Sequence, residues 1–207
     1  MPMPISGQVG LVPNNRTSGS PTALQLPLGE LGVSEIMPRY AALAWSGLLF
    51  TARAALQATS LVTTAMVGLQ LTNNTSNRNA LIMAVGGNIV ATSATQTGVV
   101  LAAGTGQTAA PGSQTAASRV GNNFIGGAAN NCLATNAATF ANAPVAVMDL
   151  LHNTAAIGTT GEDQGYFLDL GGSIVVPPGC YVAFAAVGAA GAASSNNHWI
   201  MWAELPV

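Results

Sequence analysis

Lysine is missing altogether. Charge of either sign is scarce: five arginines and seven acids leave a formal net charge of −2 over 207 residues. Only 6% of the chain is charged, against about a quarter in ordinary soluble proteins. The arginines, Arg16, Arg39, Arg53, Arg78 and Arg119, are scattered, so no basic cluster exists to displace counterions from phosphates, and nucleic acid is excluded as a partner. Without lysine there is no P-loop. Net charge this small cannot steer a charged partner. Aromatic residues are also few, at 5%, although hydrophobic residues reach 49%. The apolar content is therefore mostly Ala, Val and Leu, side chains that pack tightly. Intrinsic disorder, which needs the reverse balance of apolar and charged residues, is excluded as well.

Long hydrophobic runs are lacking too. The longest, Tyr40–Phe50 (YAALAWSGLLF), is interrupted by Ser46 and soon followed by Arg53. A bilayer span needs about 20 apolar residues, so no membrane partner is expected. MPMPISGQVG has neither a basic nor an apolar signal region, which predicts assembly in a cytoplasm; a mature form with its signal already removed would read the same. Two cysteines, Cys132 and Cys180, cannot make a disulfide framework, and two buried thiols are the preferred reading over a bridge.

The first 39 residues carry prolines at 2, 4, 13, 21, 27 and 38 and no sustained helical or strand period. Apolar residues recur among the turn formers: Leu11, Val12, Leu24, Leu26, Leu28, Leu31 and Ile36. This stretch reads as an extended arm that lies on another surface, with those seven side chains as its contacts; the alternative is a flexible terminus.

From residue 40 to 207 the pattern is that of one domain. Tyr40–Gln57 fits a short helix by propensity or strands by context. Thereafter short β-branched and apolar runs follow one another: Ser60–Leu71, Ala80–Val90, Thr97–Ala103, Val145–Leu151, Tyr166–Leu170, Ser173–Val176, Cys180–Val187 and His198–Leu205. Gly86-Gly87 predicts a bulge or break in the second of these. Turn clusters separate the runs, among them Thr72–Asn77, Gly171-Gly172, Pro177-Pro178-Gly179 and Ser194–Asn197. Pro followed by Gly at the centre of the third suits a type II turn. Residues 104–142 are polar and small, and read as a long loop insertion and a candidate contact surface. The whole predicts an all-β antiparallel sandwich or barrel.

Catalytic chemistry has little to draw on. His152 and His198 have no CxxC or HExxH companions, no GxSxG elbow marks a serine, and Glu162-Asp163 reads as a solvated turn. The glycine-rich pieces do not match a dinucleotide fingerprint. The expectation is a protein that is not an enzyme and needs no cofactor or metal. The last run, HWIMWAELPV, carries a Trp on each of its two faces. It is therefore buried between two layers, or between one layer and another subunit, which makes Trp199, Ile200 and Trp202 subunit-interface candidates. So much apolar and so little charged surface favours an oligomer.

GLQLTNNTSNRNALIMAVG (Gly68–Gly86) resembles a stretch recurring in tailed-phage virion proteins: an apolar strand, an Asn-rich turn with a basic residue, and a second apolar strand. GGSIVVPPGCYVAFAA and WIMWAELPV resemble the closing strands of the same proteins, and are similar to the jelly-roll sandwiches of the tumour-necrosis-factor and complement-globular type. The resemblance covers roughly residues 60–103 and 143–207. Arg78 stands where such proteins place a lysine, and the middle segment has no counterpart. The resemblance implies a jelly-roll virion protein that decorates and cements a bacteriophage capsid from outside. Its partners would be the major capsid protein and itself, as a homotrimer, on a capsid assembled in the host cytoplasm. A receptor-binding head of a tail fibre is the alternative the same fold allows.

Overall fold

A computed structural model describes residues 24–25, 31–32, 40–55, 59, 61–91, 98–106, 115–116, 119–152, 164–187 and 195–207. The chain forms two compact units, Met1–Ala42 and Leu43–Val207. In the first, β1 (Leu24–Gln25) pairs antiparallel with β2 (Leu31–Gly32), Leu24 opposite Gly32.

The ambiguous stretch after Tyr40 contains both elements its composition allowed. A single helical turn, α1 (Ala41–Trp45), ends at Gly47, whose φ of 70° lets the amides of Gly47 and Leu48 reach back to Ala44 and Leu43. Strand β3 (Leu49–Arg53) then begins. It is followed by β4 (Ala65–Thr72), β5 (Arg78–Ala91), β6 (Gly98–Thr105), β7 (Thr115–Ala116), β8 (Arg119–Asn122), β9 (Leu133–Thr139), β10 (Val145–His152), β11 (Gln164–Val176), β12 (Cys180–Val187) and β13 (Ser195–Pro206).

The strands form two antiparallel sheets, ordered β11-β5-β13-β3-β8 and β10-β6-β12-β4-β9-β7. Setting β7, β8 and β9 aside, eight strands remain. In chain order, one sheet takes the first, eighth, third and sixth, and the other takes the second, seventh, fourth and fifth. This is the jelly-roll winding of an all-β sandwich. Inward-facing side chains fill the space between the sheets: Phe50, Leu69, Leu71, Ile82, Val85, Leu101, Val182, Phe184, Ile200 and Trp202. Phe50 and Trp202 stack with ring centroids 5.8 Å apart. Each such large side chain contributes about 1.5–3 kcal/mol by leaving water.

Three expectations change. Residues 104–142 are not simply a loop: β8 pairs with β3, β9 pairs with β4, and the insertion thereby extends both sheets on the same side of the sandwich. Tyr166–Leu170 and Ser173–Val176 are one strand, β11. Gly171 and Gly172, with φ of 56° and 84°, make an irregularity within it rather than a connection. Nor is there a bulge at Gly86-Gly87. Both glycines stay in register with β11 and β13, and the extra residues of β5 fall on either side of them, at Met83, between Ile82 opposite Trp202 and Ala84 opposite Met201, and between Ile89 opposite Asn196 and Ala91 opposite Ser195. The glycines serve neighbouring rings instead. Gly86 lies between Phe167 and Trp199 across three strands, Gly87 between Tyr166 and His198. A Cβ at Gly86 would sit 2.6 Å from the Trp199 ring, and one at Gly87 2.7 Å from His198 Nδ1.

The Asn-rich turn and the Pro-Pro-Gly turn support each other. The buried Asn73 amide donates to the carbonyls of Arg78 and Val176, while its Oδ1 accepts from the Thr75 amide and hydroxyl. Gly179 donates to the Asn73 carbonyl, and Cys180 to that of Pro177 at 3.1 Å, closing the expected turn with Gly179 at φ 77°.

Candidate interaction surfaces

Strand β13 decides the fate of three predicted contact residues. Its central place in the sheet turns Ile200 and Trp202 into the core, 1% and 0% exposed, so neither can meet another subunit. The two-faced pattern was real, but one of its layers is the chain's own second sheet. Trp199, on the opposite face, is half-buried and keeps an outward position. Of the arm residues, Leu24 and Leu31 lie in β1 and β2; Leu11, Val12, Leu26, Leu28 and Ile36 lie outside the described residues.

The inward face of β13 also carries two titratable side chains. His198 is sealed in the core, stacked on Phe184 at 4.7 Å. Its Nδ1 lies 2.8 Å from the Tyr166 hydroxyl and its Nε2 3.1 Å from Thr59 Oγ1, which also accepts from Asn196 Nδ2. Burial pushes its pKa down to about 3, so the ring is neutral at ordinary pH. A histidine closed off from solvent and satisfied on both nitrogens is a structural one.

Glu204 is the second. Its carboxylate accepts from the Asn131 amide at 2.9 and 3.0 Å, from Asn131 Nδ2 at 2.7 Å, from the Cys132 amide at 2.9 Å and from Trp202 Nε1 at 3.2 Å. Burial alone would raise its pKa, but these donors outweigh burial and hold it below the usual value. Burial, and after it the same carboxylate, pushes the neighbouring Cys132 thiol up. Glu204 thus clamps the 104–142 insertion to β13. Sequence reasoning missed it, although a lone acid on the core face of an apolar strand was the available signal. Cys132 and Cys180 are both free thiols, but only Cys132 is buried as expected; Cys180, the last residue of the Pro-Pro-Gly turn, is partly exposed. Among the described residues, no three His, Cys, Asp or Glu side chains are grouped to hold a metal ion, and no helix is long and apolar enough to cross a membrane.

Two outward surfaces remain. On one side of the sandwich lie the outermost strands of the two sheets, β10 and β11. They expose Val145 (69%), Val147, Phe167 (67%), Leu168 and Val175. Towards the other side, over β13, β3 and β8, an open cleft of about 550 Å³ is lined by Thr51, Arg53, Gly121, Asn122, Asn123, Ile125 and Trp199. Its floor is the outward face of β3, since Phe50 and Ala52 point into the core and Thr51 and Arg53 away from it. Trp199 is braced from behind by Phe167 at 5.8 Å. Asn122 shapes the facing loop: its Nδ2 donates to the carbonyls of Gly47 and Ala128, and its Oδ1 accepts from the Phe124 amide. Asn123 Oδ1 accepts from Thr51 Oγ1 at 2.8 Å. Arg53 Nε donates to Asn197 Oδ1 at 2.9 Å. No family model, curated protein or solved structure matches this chain.

Proposed function

We propose that this protein is a non-enzymatic virion component, a jelly-roll module that decorates and cements the outside of a bacteriophage capsid. It would bind the major capsid protein and itself, as a homotrimer. The observation that carries the reading is the apolar β10–β11 side. The outermost strands of the two sheets carry exposed Val145, Val147, Phe167 and Val175. Strand edges are templates for association, and exposed apolar side chains along them suit a contact with another surface. Trimerisation then multiplies a modest capsid contact through effective concentration. A contact made by nearly uncharged surfaces also resists salt, because there is little Coulomb energy to screen. The number three comes from the resemblance to phage jelly-roll proteins, and the arm, residues 1–39, supplies the capsid contacts.

The test has two readings. Light scattering of the purified chain should give a trimer mass, and Val147→Asp with Phe167→Asp should shift it towards monomer. The full chain should co-sediment with capsids of the virus that encodes it, at unchanged stoichiometry in high salt. A wild-type monomer at micromolar concentration, or capsids that pellet without it, would overturn the proposal.

A further inference from the structure

We infer that the cleft over β13, β3 and β8 is a binding site for an anionic saccharide, a sugar bearing a carboxylate. Its aromatic wall leans on Phe167 of β11, but the inference does not depend on the capsid reading.

Three features converge there. The first is charge placement. The chain has only five cations, and one of them, Arg53, is exposed on the outward face of β3 that floors the cleft. Among the described residues that line it, none is acidic. Arg53 spends its Nε–H on Asn197 Oδ1, a bond that orients the guanidinium while the Nη donors retain the fork geometry that fits a carboxylate.

The second feature is the aromatic wall. Trp199 is held by the ring-sized gap above Gly86 and by Phe167 behind it, so its indole is ordered before any ligand arrives. A rigid aromatic surface beside polar groups suits the C–H face of a pyranose, which buries apolar area while its hydroxyls stay hydrogen-bonded. The third is the polar floor. Asn123 receives the Thr51 hydroxyl on Oδ1, and its Nδ2 carries two donors suited to sugar hydroxyls. Ile125, 92% exposed, stands at the rim. About 550 Å³ is within the range of small-ligand sites and has room for more than one sugar ring.

The probes are sialyllactose and a glucuronate-containing tetrasaccharide, against lactose and inorganic sulfate, titrated into the full chain by calorimetry and saturation-transfer NMR. At least one acidic sugar should bind at millimolar concentration or below, with saturation transfer to its ring protons, while lactose and sulfate bind far more weakly. Arg53→Gln should weaken the acidic sugar by about tenfold or more, Arg53→Lys by less. Trp199→Ala should abolish binding and Trp199→Phe should retain part of it, the latter guarding against loss of fold. Three outcomes would each overturn the inference: no acidic sugar bound, sulfate bound as well as the sugars, or affinity unchanged in Arg53→Gln.

Discussion

Replacing Glu204 tests whether the insertion is held by this one carboxylate. In Glu204→Ala the donors on Cys132 and Trp202 lose their acceptor in a place water does not reach, since both residues are buried. An orphaned buried donor costs about 1–3 kcal/mol, so the two together cost about 2–6 kcal/mol. Asn131 is exposed and can turn its donors to solvent, adding little. Glu204→Gln keeps the shape and one acceptor oxygen, but sets an NH₂ against Asn131 Nδ2 and exchanges charge-assisted bonds for neutral ones, a loss of about 1–2 kcal/mol. Urea unfolding at pH 7 measures both variants, and amide exchange at Cys132 reports whether the clamp opened. The carboxyl's pKa is depressed in the folded chain, so its contribution is complete above the unfolded value of about 4.3 and disappears as pH falls through the folded one. Glu204→Gln should flatten that part of the acid profile. If Glu204→Ala unfolded within about 0.5 kcal/mol of wild type, with Cys132 equally protected, the clamp would be ornamental.

Four further outcomes follow from the same geometry. His198 takes a proton near pH 6.5 when unfolded but only near 3 when folded, so stability should fall by up to about 1.4 kcal/mol per pH unit between those limits; urea midpoints flat from pH 6.5 to 5 would contradict its burial. Gly86→Ala pushes a methyl into the Trp199 ring and should cost about 1–3 kcal/mol with a changed near-UV circular dichroism spectrum. Gly179→Ala meets nothing within 4 Å and should cost only the strain of its positive φ, about 1 kcal/mol in thermal or urea melts. A chain lacking residues 1–39 should keep the β-type far-UV spectrum while binding capsids more weakly, and equal binding would remove the arm from the contact.

What the sequence made legible were elements whose signals are local. Strand β12 occupies the residues read for it, Cys180–Val187, because an apolar run is bounded there by a Pro-Gly turn whose chemistry is contained in four residues. The alternation along β13 was likewise readable, down to which residues share a face. Its partner layer was not, because that depends on where β4, β6 and β12 lie in space. Strands β8 and β9 escaped for a similar reason: RVGN and LATNAAT are made of residues equally at home in loops, and become strands by pairing with β3 and β4. The cleft draws Thr51, Asn123 and Trp199 from three separated segments, so no motif could announce it. Gly86-Gly87 was noticed for the right reason, an absent side chain, and given the wrong consequence. The space serves cross-strand rings, which only the register reveals.

The central position of β13 reaches beyond the finished fold, into synthesis. Both neighbours of β13, β3 and β5, leave the ribosome long before it does, and each must wait with one edge unsatisfied. Long-range pairing of this kind is slow, and waiting edges are exposed to other nascent chains. A chain whose synthesis stalls after β12 has emerged, but before β13 has, therefore holds a sandwich lacking one strand, with a gap of that strand's width between β3 and β5. Any segment able to fill that gap, including β13 from a neighbouring molecule, would complete the sheet in trans.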